Sequence, residues 1–107
     1  MRMETLKLGL IGCGSIAGAH VAAIRELWEN ERGAIEVVAV CDVDEQRAQE
    51  RAQELASFQG KPEVYTDVER MLQQVKAIEA VDICTQHVEH HSLAIACLQE
   101  GVDVTIE

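Results

Sequence analysis

The sequence is poor in cations, and its apolar runs are short. It has 9 lysine and arginine residues against 19 aspartate and glutamate residues, and its formal net charge is -10. Phosphates would be repelled across most of such a surface, which excludes nucleic acid and anionic membranes as expected partners. The apolar runs cannot span a bilayer. No charged segment followed by an apolar one opens the chain, so we expect a cytoplasmic protein.

The four cysteines form no CxxC pair, which argues against both a disulfide framework and a cysteine-rich metal site. Cys13 lies in a glycine-containing turn, Cys41 and Cys84 lie in apolar runs, and Cys97 lies on a predicted helix. Because a cysteine outside a disulfide behaves as a small hydrophobic residue, we predict reduced and mostly buried thiols.

The apolar pattern alternates between the period of a strand and the period of a helix. Strands are predicted at 6–12, 35–42, 63–66, 80–86 and 102–107. Predicted helices follow from Ser15, from an Asp44 cap, from a Thr66–Glu69 capping box, and from about Glu89 to Gly101. The alternation predicts a single α/β domain built on a doubly wound parallel sheet. Such sheets bind ligands at the carboxyl ends of the strands, where the strand order reverses.

The first predicted turn has the pattern of a dinucleotide-binding loop. Gly12, Gly14 and Ala17 form G-x-G-x-x-A between the first strand and the first helix. Glycine permits the tight turn and lets a pyrophosphate approach the backbone, where the N–H groups of the helix start can bind it. The residues predicted around the pyrophosphate are Gly12, Cys13, Gly14, Ser15 and Ile16. The alternative interpretation is a turn kept small only for packing.

Asp42, at the end of the second predicted strand, is positioned to accept hydrogen bonds from both hydroxyls of an adenosine ribose. Its charge would repel a 2′-phosphate, so NAD is the predicted cofactor, in preference to NADP. The alternative is an aspartate that merely caps the next helix. Arg47 lies a turn into that helix and is interpreted as a solvated residue.

Three segments resemble the Gfo/Idh/MocA oxidoreductases, the family of glucose–fructose oxidoreductase and inositol dehydrogenase. They are LGLIGCGSIAGAH, VVAVCDVDEQRA and VDICTQHVEHHSLAIACLQEGVDVTIE, and the similarity extends over nearly the whole chain. The resemblance implies hydride transfer between a nicotinamide cofactor and a sugar or cyclitol hydroxyl.

The resemblance also implies residues on the nicotinamide side of the cofactor. The family's segment Thr-Pro-x-x-x-His corresponds here to the residues from Thr85 to His90, with Gln86 in place of the proline. The residues implied to line that side are Thr85, Gln86, His87 and His90, with Glu107 at the nicotinamide ribose. In the family, a lysine that serves in proton transfer follows this glutamate.

The chain supplies Glu107 without that lysine, so the resemblance implies a nucleotide-binding domain at residues 1–107 that precedes a substrate-binding domain. We expect this chain to bind the dinucleotide without turnover, and no catalytic residue is assigned to it. Loss of the partner domain would expose apolar surface, which predicts self-association into a homo-oligomer.

The sequence also allows other interpretations of its histidines and of its function. A zinc site at His87, His90 and His91 is disfavoured because too few ligands converge there. His20 is interpreted as a packing residue with a satisfied hydrogen bond. A module that binds a nucleotide or a partner chain without chemistry remains the alternative function. An S-adenosylmethionine methyltransferase ranks below both, because it typically has a denser glycine motif.

Overall fold

The structure, a computed structural model, describes residues 6–12, 15–30, 35–84 and 103–106. Strands and helices alternate along these residues, and each observed strand lies within its predicted range. In chain order the elements are β1 (Leu6–Ile11), α1 (Ser15–Asn30), β2 (Ile35–Cys41), α2 (Glu45–Ala56), β3 (Glu63–Tyr65), α3 (Val68–Gln74), β4 (Ala80–Ile83) and β5 (Asp103–Ile106). The helix predicted from about Glu89 to Gly101 lies outside the described residues. None of the described helices is long and apolar enough to cross a membrane.

The five strands form one parallel sheet in the order β3-β2-β1-β4-β5. The chain moves outward from β1 to β3 and then returns to the other side of β1 at β4, so the strand order reverses beside β1. At the carboxyl end of β1, Ile11 is aligned with Cys41 on one side and with Ile83 on the other. This order confirms the predicted doubly wound sheet and places its reversal between β1 and β4.

Two apolar clusters pack on opposite faces of the sheet. The residues of the cluster under α1 and α2 are Leu8, Leu10, Val21, Ile24, Val37, Val40, Ala48, Ala52, Leu55 and Cys84. The residues of the cluster under α3 are Ile11, Ala39, Cys41, Met71, Leu72, Val75, Ile78, Val81 and Ile83. Because side chains alternate between the two faces of a strand, the continuous apolar runs of β1, β2 and β4 supply both clusters.

The side chain of Gln59 completes the hydrogen bonding of β2 where β3 does not reach it. β3 pairs with β2 along Ala39–Cys41, which leaves Val37 beyond the end of that pairing. The Val37 N–H donates to Gln59 Oε1 at 3.0 Å, and Gln59 Nε2 donates to the Val37 carbonyl at 2.7 Å. Val37 is fully buried, so this side chain satisfies backbone groups that water does not reach.

The two helix caps after β2 and β3 differ from each other. Asp44 is the N-cap of α2, as predicted, and its carboxylate accepts from the N–H groups of Gln46 and Arg47. The capping box predicted at Thr66 and Glu69 is wrong. Asp67 has the extended backbone of the N-cap, so the helix begins one residue later than the pattern indicated, and no side chain caps it.

We expect Asp44→Ala to lower the free energy of unfolding by about 1 kcal/mol, since it leaves two N–H groups of α2 without their acceptor. Asp67→Ala is the matched control, because Asp67 is also an exposed N-cap aspartate but its side chain makes no cap hydrogen bond. Its expected loss is within about 0.5 kcal/mol. Urea unfolding followed by circular dichroism measures both losses, and equal losses would contradict the capping role.

Candidate functional site

Backbone hydrogen bonds past the ends of the strands hold three chain segments together where the strand order reverses. The Gly12 N–H donates to the Cys41 carbonyl at 2.8 Å, and the Cys84 N–H donates to the Ile11 carbonyl at 2.7 Å. The Asp42 N–H donates to the Tyr65 carbonyl at 3.1 Å. The residues that follow β1, β2 and β4 are therefore fixed at one edge of the sheet.

Gly12 is buried and has a φ of 88°, a backbone conformation that favours glycine. This conformation turns the chain out of β1 and toward α1, which begins at Ser15. α1 has 16 residues, and its first N–H groups have no acceptor within the helix. Such a terminus, preceded by a glycine turn, can bind an anion through backbone N–H groups and the helix dipole.

Asp42 lies directly after β2, beside the Gly12 turn, and is partly buried. Its Oδ1 accepts from the Asp44 N–H at 2.8 Å, which fixes the direction of the carboxylate. The N-cap of α2 is Asp44 and not Asp42, so the alternative interpretation of Asp42 as a helix cap is wrong. A carboxylate has about four acceptor positions, and the Asp44 N–H uses one of them here.

Arg47 and Cys41, which lie near Asp42 in the sequence, add neither a cation nor a nucleophile to this edge. Arg47 is exposed, as predicted, and its Nε lies 3.7 Å from Asp44 Oδ2. Burial, together with a smaller contribution from the carboxylates of Asp67 and Asp42, raises the pKa of the Cys41 thiol to about 12. A thiol with such a pKa stays protonated at neutral pH, so Cys41 is a packing residue and not a nucleophile.

A second polar group, which sequence reasoning missed, lies between α1 and β4. His20 Nδ1 donates to Asp82 Oδ2, and Cys84 Sγ lies 3.6 Å from the same ring nitrogen. Asp82 is 6% exposed and Cys84 is 7% exposed. The hydrogen bond gives the His20 ring a partner within the chain, as predicted. The available signal was the alternation in β4, which turns residues 82 and 84 to the same face of the sheet.

The remaining predicted site residues are only partly described. Ser15 is the first residue of α1, and Ile16 follows it in the first turn. The other predicted residues around the cofactor lie outside the described residues, and they are Cys13, Gly14, Thr85, Gln86, His87, His90 and Glu107. The disfavoured zinc hypothesis at His87, His90 and His91 also lies outside them, as does Cys97.

Comparison with known families identifies the family to which this chain belongs. The model of the Gfo/Idh/MocA oxidoreductase family, described as an NAD-binding Rossmann fold, matches residues 6–107. The chain belongs to this family. One relative is the glycosyl hydrolase family 109 protein 2 of Phocaeicola vulgatus, which is 29% identical over 109 residues. That match covers 98% of this chain and 25% of the relative.

Two solved structures of dehydrogenases contain a region with the same fold as this chain. One is myo-inositol dehydrogenase from Lactobacillus casei in complex with NAD(H) and myo-inositol, at a TM-score of 0.81 and 25% identity. Another is the WlbA dehydrogenase from Bordetella pertussis in complex with NADH and UDP-GlcNAcA, at a TM-score of 0.81 and 24% identity. Both matches cover 96% of this chain, but only 28% and 29% of those proteins. The chain therefore spans less than a third of their length.

The described residues fit the NAD cofactor of the family. The Gly12 turn leads into the N-terminus of a long helix, and Asp42 presents a fixed carboxylate after the adjacent strand. These are the two features that a Rossmann domain uses for the pyrophosphate and for the adenosine ribose.

We expect Gly12→Ala to destabilise the fold by about 1–3 kcal/mol, since alanine is strained at a φ of 88°. We also expect weaker NAD binding, because the turn sets the start of α1. Gly60→Ala is the matched control, since a Cβ there would meet its nearest atom, Glu36 Oε2, at 3.8 Å. Thermal unfolding and calorimetric titration with NAD test both variants. Equal behaviour of the two would contradict the role of the Gly12 turn.

We expect His20→Phe to destabilise the domain by about 3–5 kcal/mol, because it leaves the buried Asp82 carboxylate without its partner. The double variant His20→Phe/Asp82→Leu removes both polar groups and is expected to regain most of this loss. Urea unfolding of the two single variants and the double variant gives the coupling energy. Additive losses would show that the two side chains do not interact.

Proposed function

We propose that this chain is the NAD-binding domain of an oxidoreductase that transfers hydride between nicotinamide and a hydroxyl group of a sugar or cyclitol. Its membership of the Gfo/Idh/MocA family supports hydride transfer. The solved dehydrogenase in complex with myo-inositol supports a polyol as the substrate class. The chain spans less than a third of that protein, so this activity belongs to the whole enzyme.

The observation that carries this proposal is the hydrogen bond between the Gly12 N–H and the Cys41 carbonyl. It holds the Gly12 turn beside Asp42, which follows Cys41 directly. One extended nucleotide can then contact both positions. The turn residues 12–16 surround the pyrophosphate, which is bound by the backbone N–H groups that follow Gly12, and the Asp42 carboxylate accepts hydrogen bonds from the adenosine ribose.

Asp42 also determines the choice between the two nicotinamide dinucleotides. Its carboxylate attracts the 2′-hydroxyl of NAD and repels the 2′-phosphate of NADP. Arg47, a nearby cation, has its Nε directed at Asp44 and is exposed. The chain is therefore proposed to prefer NAD.

The nicotinamide ring supplies the hydride chemistry when the cofactor is bound. This chain holds and orients the cofactor, and its residues proposed for the nicotinamide side are Thr85, Gln86, His87, His90 and Glu107. The chain covers less than a third of the solved dehydrogenases that it resembles. We therefore propose that the chain alone binds the dinucleotide without turnover.

We expect the purified chain to bind NAD more tightly than NADP and Asp42→Ala to lose this preference. A hydrogen bond to a charged group contributes about 1.5–3 kcal/mol, so NAD affinity should fall by about tenfold to a hundredfold. Asp44→Ala is the matched control, because it removes a carboxylate two residues away that caps α2 and does not point to the nucleotide site. Calorimetric titration of the three proteins with both dinucleotides measures these affinities.

The result that would overturn the proposal is a folded chain for which neither dinucleotide gives a titration signal. The interaction module without chemistry would then be the better interpretation. A preference for NAD that survives in Asp42→Ala would remove Asp42 from the site. NADH formation from any polyol by this chain alone would contradict the absence of turnover.

A further inference from the structure

Three side chains of the types that ligate metals meet between α1 and β4, and the proposed function uses none of them. The ligand atoms of His20, Asp82 and Cys84 all lie within 4.8 Å of one another. Imidazole nitrogen, carboxylate oxygen and thiolate sulfur are the ligands that Zn²⁺ takes in proteins. We propose that this His20–Asp82–Cys84 cluster binds one divalent cation of the Zn²⁺ type.

The spacing of the donor atoms supports a tetrahedral site. A Zn–S bond of about 2.3 Å and a Zn–N bond of about 2.05 Å at the tetrahedral angle separate the two ligand atoms by about 3.6 Å. Cys84 Sγ and His20 Nδ1 are 3.6 Å apart. Nδ1 and Asp82 Oδ2, which now share a hydrogen bond, would separate to about 3.3 Å when the cation takes the place of the proton.

The second observation is the other carboxylate oxygen of Asp82. Oδ1 is buried and has no hydrogen-bond partner among the described residues, although the side chain is only 9% exposed. Buried acceptors are normally satisfied, so a pair with His20 alone leaves this atom unexplained. With Oδ2 on the cation, Oδ1 can accept a hydrogen bond from a water molecule in the fourth tetrahedral position.

The charges of the cluster balance those of a divalent cation. Binding moves the proton between Nδ1 and Oδ2 to Nε2 of His20 and releases the thiol proton of Cys84 to solvent, so an aspartate, a thiolate and a neutral imidazole remain. The two negative charges then neutralise the cation in a buried place. The side chain of His20 is 18% exposed and gives the cation a path from solvent. A bound cation would join α1 to β4 and so stabilise the folded chain.

The test is titration of the chelator-treated chain with Co²⁺ and Zn²⁺ under reducing conditions. We expect one Co²⁺ per chain with a thiolate-to-metal charge-transfer band, displacement by Zn²⁺, and a higher midpoint of thermal unfolding with Zn²⁺ present. If the wild-type chain binds neither Co²⁺ nor Zn²⁺ stoichiometrically, the proposal is wrong, whatever the variants do.

Cys84→Ser is expected to abolish the charge-transfer band and to weaken Zn²⁺ binding by about a hundredfold or more. Loss of a residue that only hydrogen-bonds to a metal ligand costs about 10–100-fold in affinity, and loss of a ligand itself should cost at least as much. Cys41→Ser is the matched control, because Cys41 is equally buried but packs on the other face of the sheet. Asp82→Asn keeps the side chain's size and is the second variant, with the same expected loss of affinity. Tight binding retained in both Cys84→Ser and Asp82→Asn would place the cation elsewhere in the chain and overturn the proposal.

Discussion

Hydrogen bonding along both edges of β1 is the constraint on which the rest of the structure depends. β1 pairs with β2 on one side and with β4 on the other, and all of these strands run in the same direction. Parallel strands must be joined by crossovers, so helices cover the faces and every carboxyl end meets at one edge. The backbone bonds from Gly12 to Cys41 and from Cys84 to Ile11 extend this pairing beyond the strands. The glycine turn and Asp42 are therefore neighbours because of the sheet, although 30 positions of sequence separate them.

Features decided by local sequence were predictable, and features decided by distant contacts were not. The strands follow from short runs of β-branched residues. The cap of α2 follows from the carboxylate of Asp44, which accepts a hydrogen bond from the N–H of Gln46, only two residues later. The Thr66 capping box failed because the pattern does not determine which residue takes the extended backbone, and Asp67 takes it here. Asp82 stood in an apolar run without an evident role, because its partner His20 is 62 positions away. The glycine turn was predictable because its chemistry lies within six residues, from Gly12 to Ala17.

An acidic chain that binds an anionic dinucleotide needs no basic patch at the site proposed here. The formal charge of -10 acts over the whole surface, whereas the N–H groups of a helix start act within a few ångströms of a phosphate. Asp42 is proposed to have the opposite role, since a negative charge at the ribose distinguishes a hydroxyl from a phosphate. In the proposed site, attraction and discrimination thus come from adjacent strand ends, one through backbone dipoles and the other through a side-chain charge.

The amide of Gln59 has a further consequence for the behaviour of the chain in concentrated solution. β2 is longer than the edge strand β3, so its Val37 backbone groups would face outward as a template for a strand from another molecule. Gln59 bonds to both of these groups with its side-chain oxygen and nitrogen and thereby imitates one residue of a neighbouring strand. Exposed strand edges recruit other chains and lead to aggregation, and proteins protect them by covering them. A single glutamine here covers the Val37 backbone groups that a short β3 leaves unpaired, so the sheet can end at a three-residue strand without offering these groups for intermolecular pairing.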